Sequence, residues 1–233
     1  MIIRVRFTKT GYLKFLSHLD LVRLFTRSFS RSGIPVKFTE GFNPHPKFSI
    51  GNPLSLGIES TAEYMEIEFA EDIRPEKVMV SLNTVLPEGI KVTEAVVSEG
   101  TASLTSLIRW SHYEIRLWVK NEADRTTLAD KLKGWDDLDS VFIDKKKKRG
   151  KNKISVRVDI KPLIGNLQFK DFDQDGFAVL CALLKTGEEG NLKPSDLAEA
   201  LETHLSLGID LEMTQIKRLD AFVEKDGKIE KPI

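Results

Sequence analysis

The order in which hydrophobic periodicities follow one another constrains this chain more than any other feature. The stretch Met1-Ile-Ile-Arg-Val-Arg-Phe7 alternates apolar and charged residues, the period of a half-buried strand, and predicts a strand over 2–8. Ser17 followed by Asp20 is a weaker form of the capping box, so a helix is expected from Ser17 until Gly33 and Pro35 stop it. A short strand at Val36 to Thr39, an irregular Gly/Asn/Pro-rich stretch from Gly41 to Gly57, a strand from Glu63 to Phe69, a helix from Pro75 to Leu86 and a strand near Ile90 to Val97 complete the first half. That order is βαββαβ, a recurrent unit in which helices cover one face of an antiparallel sheet.

The second half repeats the theme. Strands are expected at Ile108 to Val119, Ser140 to Ile143 and Ile154 to Ile160, with a helix from Glu122 to Lys133. Helical stretches at Phe177 to Lys185 and Ser195 to His204 then precede strands at Ile209 to Met213 and Ile216 to Val223. The expected class is therefore α+β, as two tandem ferredoxin-like units with antiparallel sheets. Residues 1–98 form one unit and residues 106–233 the other with an extra helix, while the small polar stretch Ser98-Glu-Gly-Thr-Ala-Ser-Leu-Thr-Ser106 serves as linker. No sequence identity between the halves supports the duplication, which rests on element order.

With 233 residues, 41% of them hydrophobic, the chain is long enough to bury a core in each unit. The single cysteine, Cys181, sits in an apolar run where a thiol acts as a small core hydrophobe, so neither an internal disulfide nor a disulfide-linked partner is expected. The N-terminal strand pattern contains no apolar segment of signal-peptide or membrane length. A cytoplasmic location without membrane contact follows as the expectation.

The net charge is zero, yet the charges are segregated. Residues 1–60 carry nine Lys/Arg against three Asp/Glu, and residues 61–100 carry three against nine. The first block is a candidate face for an anionic ligand, which the second shields or opposes. Along the predicted first helix Leu21, Val22, Phe25 and Phe29 fall at core-facing spacing, while Arg23, Arg27 and Arg31 recur at i, i+4 and i+8 on another face with only Asp20 against them. Arg4, Arg6, Lys9 and Lys37 join those three if the first strands lie beside the helix, making a patch suited to phosphate. Phe7, Phe38, Phe42 and Phe48 interleave with the cations, as stacking platforms or as core. A second basic run, Lys145-Lys-Lys-Lys-Arg149 extended by Lys151, Lys153, Arg157 and Lys161, reads as a hairpin tip or solvated loop.

The loop Gly41-Phe-Asn-Pro-His-Pro-Lys-Phe48 presents Asn43 and His45 between prolines that bias both to extended backbone, with Lys47 beside them. Such a rigid donor–acceptor set suits a phosphate, a sugar hydroxyl or a base edge. Equally, Asn43 caps a turn and His45 is solvated or bonded to backbone. His18 stands at a helix start, where backbone N–H groups favour anions, or packs at the helix entrance. His112, in a strand-like run with Trp110, Tyr113 and Trp118, and His204, at a helix end, read as structural.

The absences narrow the function further. The sequence has no Cys/His cluster for zinc or iron–sulfur, no P-loop, no G-x-G-x-x-G, no G-x-S-x-G and no H-E-x-x-H. No metal or cofactor is implied. Metal-free RNA cleavage by His18 or His45, through general acid–base chemistry at a ribose hydroxyl, stays open as an alternative. A protein-binding adaptor using the acidic strand from Glu63 to Glu71, or the C-terminal segment, is the other.

At Ser17-His-Leu-Asp20, Ser32-Gly-Ile-Pro35, Gly41-Phe-Asn-Pro-His-Pro46 and Pro53-Leu-Ser-Leu-Gly57, in that order, the sequence resembles the radical-SAM-linked protein family of unknown function. Later blocks, Asp159-Ile-Lys-Pro-Leu163 and Lys193-Pro-Ser-Asp196, fit less distinctively. The resemblance implies a domain that stands alone or follows a cobalamin-binding radical SAM module. It carries no settled activity with it. Lacking the three-cysteine motif, this chain looks like the stand-alone form, which implies a separate radical SAM protein as partner. The expected architecture is also similar to the tandem ferredoxin-like CRISPR repeat-cleaving endoribonucleases, whose C-terminal glycine-rich loop has no counterpart here. The expected function is thus an RNA-binding or substrate-presenting accessory protein, and the resemblance implies a setting in RNA- or ribosome-related metabolism.

Overall fold

The computed structural model describes residues 1–233 apart from Thr101, Gly150, Lys151, Glu188 and Asp226, and apart from the side chains of 146–149, 152 and 153. Eleven strands and five α-helices follow one another among the described residues: β1 (Ile2–Lys9), α1 (His18–Ser32), β2 (Phe48–Ile50), β3 (Glu59–Glu68), α2 (Pro75–Asn83), β4 (Val92–Val97), α3 (Leu104–Leu107), β5 (Ile108–Val119), α4 (Glu122–Asp136), β6 (Phe142–Arg149), β7 (Asn152–Asp159), β8 (Ile164–Phe172), β9 (Ala178–Lys185), α5 (Pro194–Leu205), β10 (Ile209–Lys225) and β11 (Lys228–Glu230). Short 3-10 turns occupy Gly11–Phe15 and Lys161–Leu163. The protein is a mixed α+β fold in which antiparallel pairing dominates. It divides into two compact units, residues 1–111 with 217–233, and residues 112–216.

In the first unit the strand order is β4-β1-β3-β10, with β2 beside β3 and β11 beside β10. The pairs β1–β3, β1–β4 and β2–β3 are antiparallel, whereas β10 meets β3 in parallel at Lys217↔Glu59 and Arg218↔Ser60. The alternation read from the sequence of β1 is realised: Ile3, Val5 and Phe7 are fully buried, while Arg4 and Arg6 turn to the opposite face of the sheet. The buried face meets α1 and α2, and Phe7 packs edge-on against Phe25 with ring centroids 4.9 Å apart. A smaller cluster of Ala62, Tyr64, Leu104, Ile108 and Ala221 forms a second core in this unit. The stretch expected to be a linker, Ser98 to Ser106, lies within the first unit and includes the start of α3, whose Leu104 is buried.

In the second unit the strand order is β10-β5-β9-β8, and β6 and β7 pair separately as an antiparallel hairpin. β5 alternates buried and half-buried residues through Val119; α4 begins at Glu122 as expected, and α5 begins one residue before the expected Ser195. α5 starts with Pro194 at a first-turn position, where its missing N–H costs nothing.

Three local expectations need correction, and one strand, β8, was not expected at all. Phe177 to Lys185 is not helical but contributes β9, with Ala178, Leu180, Ala182 and Leu184 buried at period two against β8. An uninterrupted apolar run rich in Ala and Leu suits either structure, and the pairing with β8 decides it. β8 itself, half polar along its length, carried no usable alternation. The strand expected at Val36 to Thr39 reduces to isolated bridges, Val36↔Phe69 and Phe38↔Pro46. The two C-terminal strands are one, β10, running through Thr214 and Gln215 without a break.

Candidate nucleic-acid interface

α1 is the element on which the cationic face depends, and its ends are well specified. Ser17 is the N-cap: its Oγ accepts from the Asp20 N–H at 3.2 Å while its hydroxyl donates to the Asp20 carboxylate at 2.6 Å. These contacts, with the hydroxyl bond foremost and Arg23 adding to it, hold the Asp20 carboxyl below its ordinary range. At the far end Gly33 takes the left-handed conformation, φ 66°, that terminates helices without a Cβ penalty. The inner stripe of Leu21, Phe25, Ser28 and Phe29 is buried, and Phe29 stacks edge-on against Phe48 at 5.0 Å.

On the outer side Arg23, Arg27 and Arg31 are all exposed. At 1.5 Å per residue they span about 12 Å of helix. Together with Leu16, Asp20, Leu24 and Ser28 they form one wall of a groove of about 760 Å³. Thr84, Val85, Leu86 and Pro87, following α2, form the other. Arg23 is paired with Asp20 at 3.2 Å. Arg27 and Arg31 make no ion pair or hydrogen bond among the described residues.

The remaining cations proposed from the sequence do not join this groove. Arg4 is held by Glu66 at 3.0 Å and by the Ala102 carbonyl at 2.9 Å. Arg6 binds Glu94 at 2.8 Å and lies 3.4 Å from Asp220, with its Nε buried and unsatisfied. Both project from the sheet face opposite α1, so the sheet stands between them and the helix. Lys9 is buried, 2% exposed, beside Glu63 and Arg218, and burial pulls its amine below the ordinary lysine range. Lys37 and Lys47 share one carboxylate, Glu68, at 2.5 and 3.6 Å. The hydrogen bond to Glu68 raises the Lys37 amine, and its counterpart lowers the Glu68 carboxyl.

The Gly41–Pro46 loop is exposed as far as His45, while Pro46 is buried against the chain. His45 turns its Nδ1 inward, 3.1 Å from the Thr39 hydroxyl and 3.3 Å from the Asn43 carbonyl, and its backbone N–H also binds Thr39. Asn43 and His45 thus share one exposed turn with Lys47 following. His18 is exposed at the first residue of α1, and no contact joins it to His45 among the described residues. Of the interleaved phenylalanines, Phe7 and Phe48 serve the core, whereas Phe38 and Phe42 are exposed.

In the second unit the basic run largely falls outside the described side chains. Lys145 binds the Asn191 carbonyl at 2.6 Å and lies 3.7 Å from Asp196, and the Arg157 guanidinium lies over Phe142. The groove there, about 1090 Å³, is lined by Asp144, Asp159, Glu189, Asp196 and Glu199 against Lys145 and Lys193, an electrostatic setting adverse to polyanions. No group of three or more His, Cys, Asp or Glu among the described residues is placed to hold a metal, and no described helix is long and apolar enough to cross a membrane.

Two polar networks of the first unit had no sequence signal, because each joins residues about 155 positions apart. Arg218 donates through Nε to Glu63 at 3.0 Å and again through Nη2, and through Nη1 to the Asn52 carbonyl at 2.9 Å. Tyr64 donates to Asp220 at 2.5 Å, and burial followed by that bond pushes its phenol far above the ordinary value. Their own residues carry no mark; the neighbouring Lys9, which continues the buried register of Ile3, Val5 and Phe7, is the one sign in the sequence of a buried charge nearby.

Among protein families, the model described as "Uncharacterized protein conserved in bacteria (DUF2344)" matches residues 3–194. Among solved structures, the chain is similar in fold to a chain of a Cbf5–Nop10–Gar1 complex, with a TM-score of 0.52 and 7% identity. The likeness covers 94% of this chain and 48% of that one, so this chain spans about half the neighbour's length. Comparison with curated proteins returned no match.

Proposed function

Because the chain belongs to the DUF2344 family of bacterial proteins, we propose a reading for this member: an RNA-binding accessory protein whose contact surface is the arginine groove of α1. The observation that carries it is the pair Arg27 and Arg31, exposed along one groove wall with no carboxylate engaging either among the described residues. Guanidinium groups without internal partners keep their full capacity for bidentate phosphate contacts. The loop bearing Asn43, His45 and Lys47 is a second contact region in this reading. Arg4, Arg6 and Lys9 act chiefly through their carboxylates, as structural charges.

The motifs at Ser17–Asp20 and Gly41–Pro46 support a separate radical SAM enzyme as partner, to which this protein would present its RNA in the cytoplasm. The fold neighbour belongs to a complex of several proteins, in keeping with a module that works beside other chains. The order β4-β1-β3 with β2 beyond β3 supports a ferredoxin-like first unit, and the element order supports a second.

The test is RNA affinity as a function of salt. Each phosphate neutralised contributes a slope of about −0.7 in log K against log salt for single strands. Replacing Arg27 and Arg31 together by Ala should therefore flatten the slope by about 1.4 units. A slope identical to that of the unaltered protein would refute the assignment.

A further inference from the structure

Leu16 lines the arginine groove, and it directly follows the 3-10 turn Gly11–Phe15. This turn is anchored at several points. The Thr10 N–H donates to the Gly89 carbonyl at 2.9 Å, the Leu16 N–H to the Leu13 carbonyl at 3.0 Å, and the Gly57 N–H to the Lys14 carbonyl at 3.0 Å, while Leu13 packs on the main core. Despite that anchoring, Tyr12 is 92% exposed and Phe15 61%. Leu19, in the first turn of α1, and Leu56, next to Gly57, where an added Cβ would lie 3.8 Å from the Phe15 ring, are also more than half exposed. Exposed apolar residues scattered singly need no explanation, but two exposed aromatics three residues apart on a fixed turn that leads into a cationic groove at Leu16 call for one. The Lys14 ammonium lies 5.5 Å from the Phe15 ring centroid and 3.8 Å from the Glu59 carboxylate, so it is already paired and adds no free cation there.

Phosphate-binding cations alone serve duplex and single strand alike. Aromatic faces beside them serve only unpaired bases, because a duplex keeps its base faces stacked inside. We infer that the RNA taken by this groove is single-stranded, with its phosphates along Arg23, Arg27 and Arg31 and unpaired bases stacked on Tyr12 and Phe15. This rests on the RNA-binding reading above and extends it to a substrate class and to two residues that carry no charge.

The two parts separate experimentally because stacking and ion release depend differently on salt. Binding of the full chain to a labelled single-stranded oligouridylate and to a duplex of equal length is measured by fluorescence anisotropy across a salt series. Tyr12→Ala should weaken single-strand binding roughly tenfold at every salt concentration, leaving the slope unchanged, and should leave duplex binding alone. Phe15→Ala should act in the same sense, and Tyr12→Trp, which keeps a stacking face, should restore affinity. Tyr12 supports no packing, so these proteins should fold, as circular dichroism would verify. Equal affinity for duplex and single strand, with Tyr12→Ala and Phe15→Ala both silent, would overturn the stacking inference; retention of the Arg27/Arg31 slope effect in that case would leave the RNA-binding reading standing and give the aromatic turn to a protein partner. Loss of salt-dependent RNA binding altogether would remove both.

Discussion

Replacing Glu63 by Gln should destabilise the first unit more than any comparable exchange at its surface. Glu63 is 1% exposed and stands between two buried cations, Arg218 and Lys9, each 2% exposed. With the carboxylate present the cluster carries one net positive charge, and without it two. Breaking a buried pair by removing one partner costs about 3–5 kcal/mol, because the survivor keeps its desolvation penalty. Lys9 limits the damage by releasing its proton. Its reference value is 10.5, so deprotonation at pH 7 costs at most about 4.8 kcal/mol, at 1.36 kcal/mol for each of roughly 3.5 units. Burial has already lowered the folded value, so the actual cost is smaller.

A sign follows for the pH dependence. An amine whose folded value lies below its unfolded one binds fewer protons when folded, so stability rises with pH through that interval, up to the unfolded value near 10.5. Glu63→Gln lowers the Lys9 value further and widens the interval. Its deficit should therefore shrink on moving from neutral pH toward pH 9, by up to about 1.4 kcal/mol per unit. Hydrogen exchange of the β1 and β3 amides, with urea unfolding followed by tryptophan fluorescence, reads both quantities. The double variant Lys9→Met/Glu63→Gln should recover part of the loss. A Glu63→Gln deficit below about 1 kcal/mol, or one indifferent to pH, would refute the view that these three charges are held in mutual balance.

Other outcomes are equally specific. Ser17→Ala removes the α1 cap and should cost about 1 kcal/mol, visible as a lowered urea midpoint, with Ser17→Gly costing only a few tenths. Gly89→Ala should be worse, since φ is 92° and a Cβ would meet the Thr10 carbonyl oxygen at 2.6 Å; a loss of about 2 kcal/mol or more is expected in the same assay. Tyr64 holds its proton more tightly when folded, so stability should fall as pH rises above its unfolded value near 10, and the Tyr64→Phe variant should lack that component of alkaline unfolding. Leu180→Ala should cost about 2–5 kcal/mol with β9 buried between β5 and β8, and would cost far less if the segment were an exposed helix.

Local features of the candidate site were legible in the sequence, whereas its boundaries were not. The Ser17 cap, the Gly33 stop and the recurrence of Arg23, Arg27 and Arg31 all lie within one helix, where spacing dictates geometry. The opposite wall, Thr84 to Pro87, enters only through the packing of α2, more than fifty residues away in sequence. The burial of alternate residues in β1 was equally legible, yet the partners of Arg4 and Arg6 were not, because they depend on the registers Arg4↔Glu66 and Arg6↔Glu94. For β9 the failure lay in the code itself. An Ala/Leu run has no polar marks to show its period, so only its neighbour could assign it.

Those registers also explain why the charge segregation along the chain does not translate into one broad cationic surface. The acidic block that follows the basic N-terminal block is threaded back beside it: Glu66 meets Arg4, Glu94 meets Arg6, Glu63 lies by Lys9, and Glu68 serves both Lys37 and Lys47. Antiparallel pairing thus neutralises the cations of β1 and of the segment before β2 in place. α1 escapes, because a helix laid across the sheet has no strand to bring carboxylates to its outer side. The only acid on it, Asp20, is already engaged by Ser17 and Arg23. An excess of nine bases over three acids in the first sixty residues therefore condenses, after folding, into a single stripe. On the proposed reading, the salt-dependent polyanion affinity of the first unit should trace chiefly to that stripe, and substitutions in β1 should alter stability first and binding only through it.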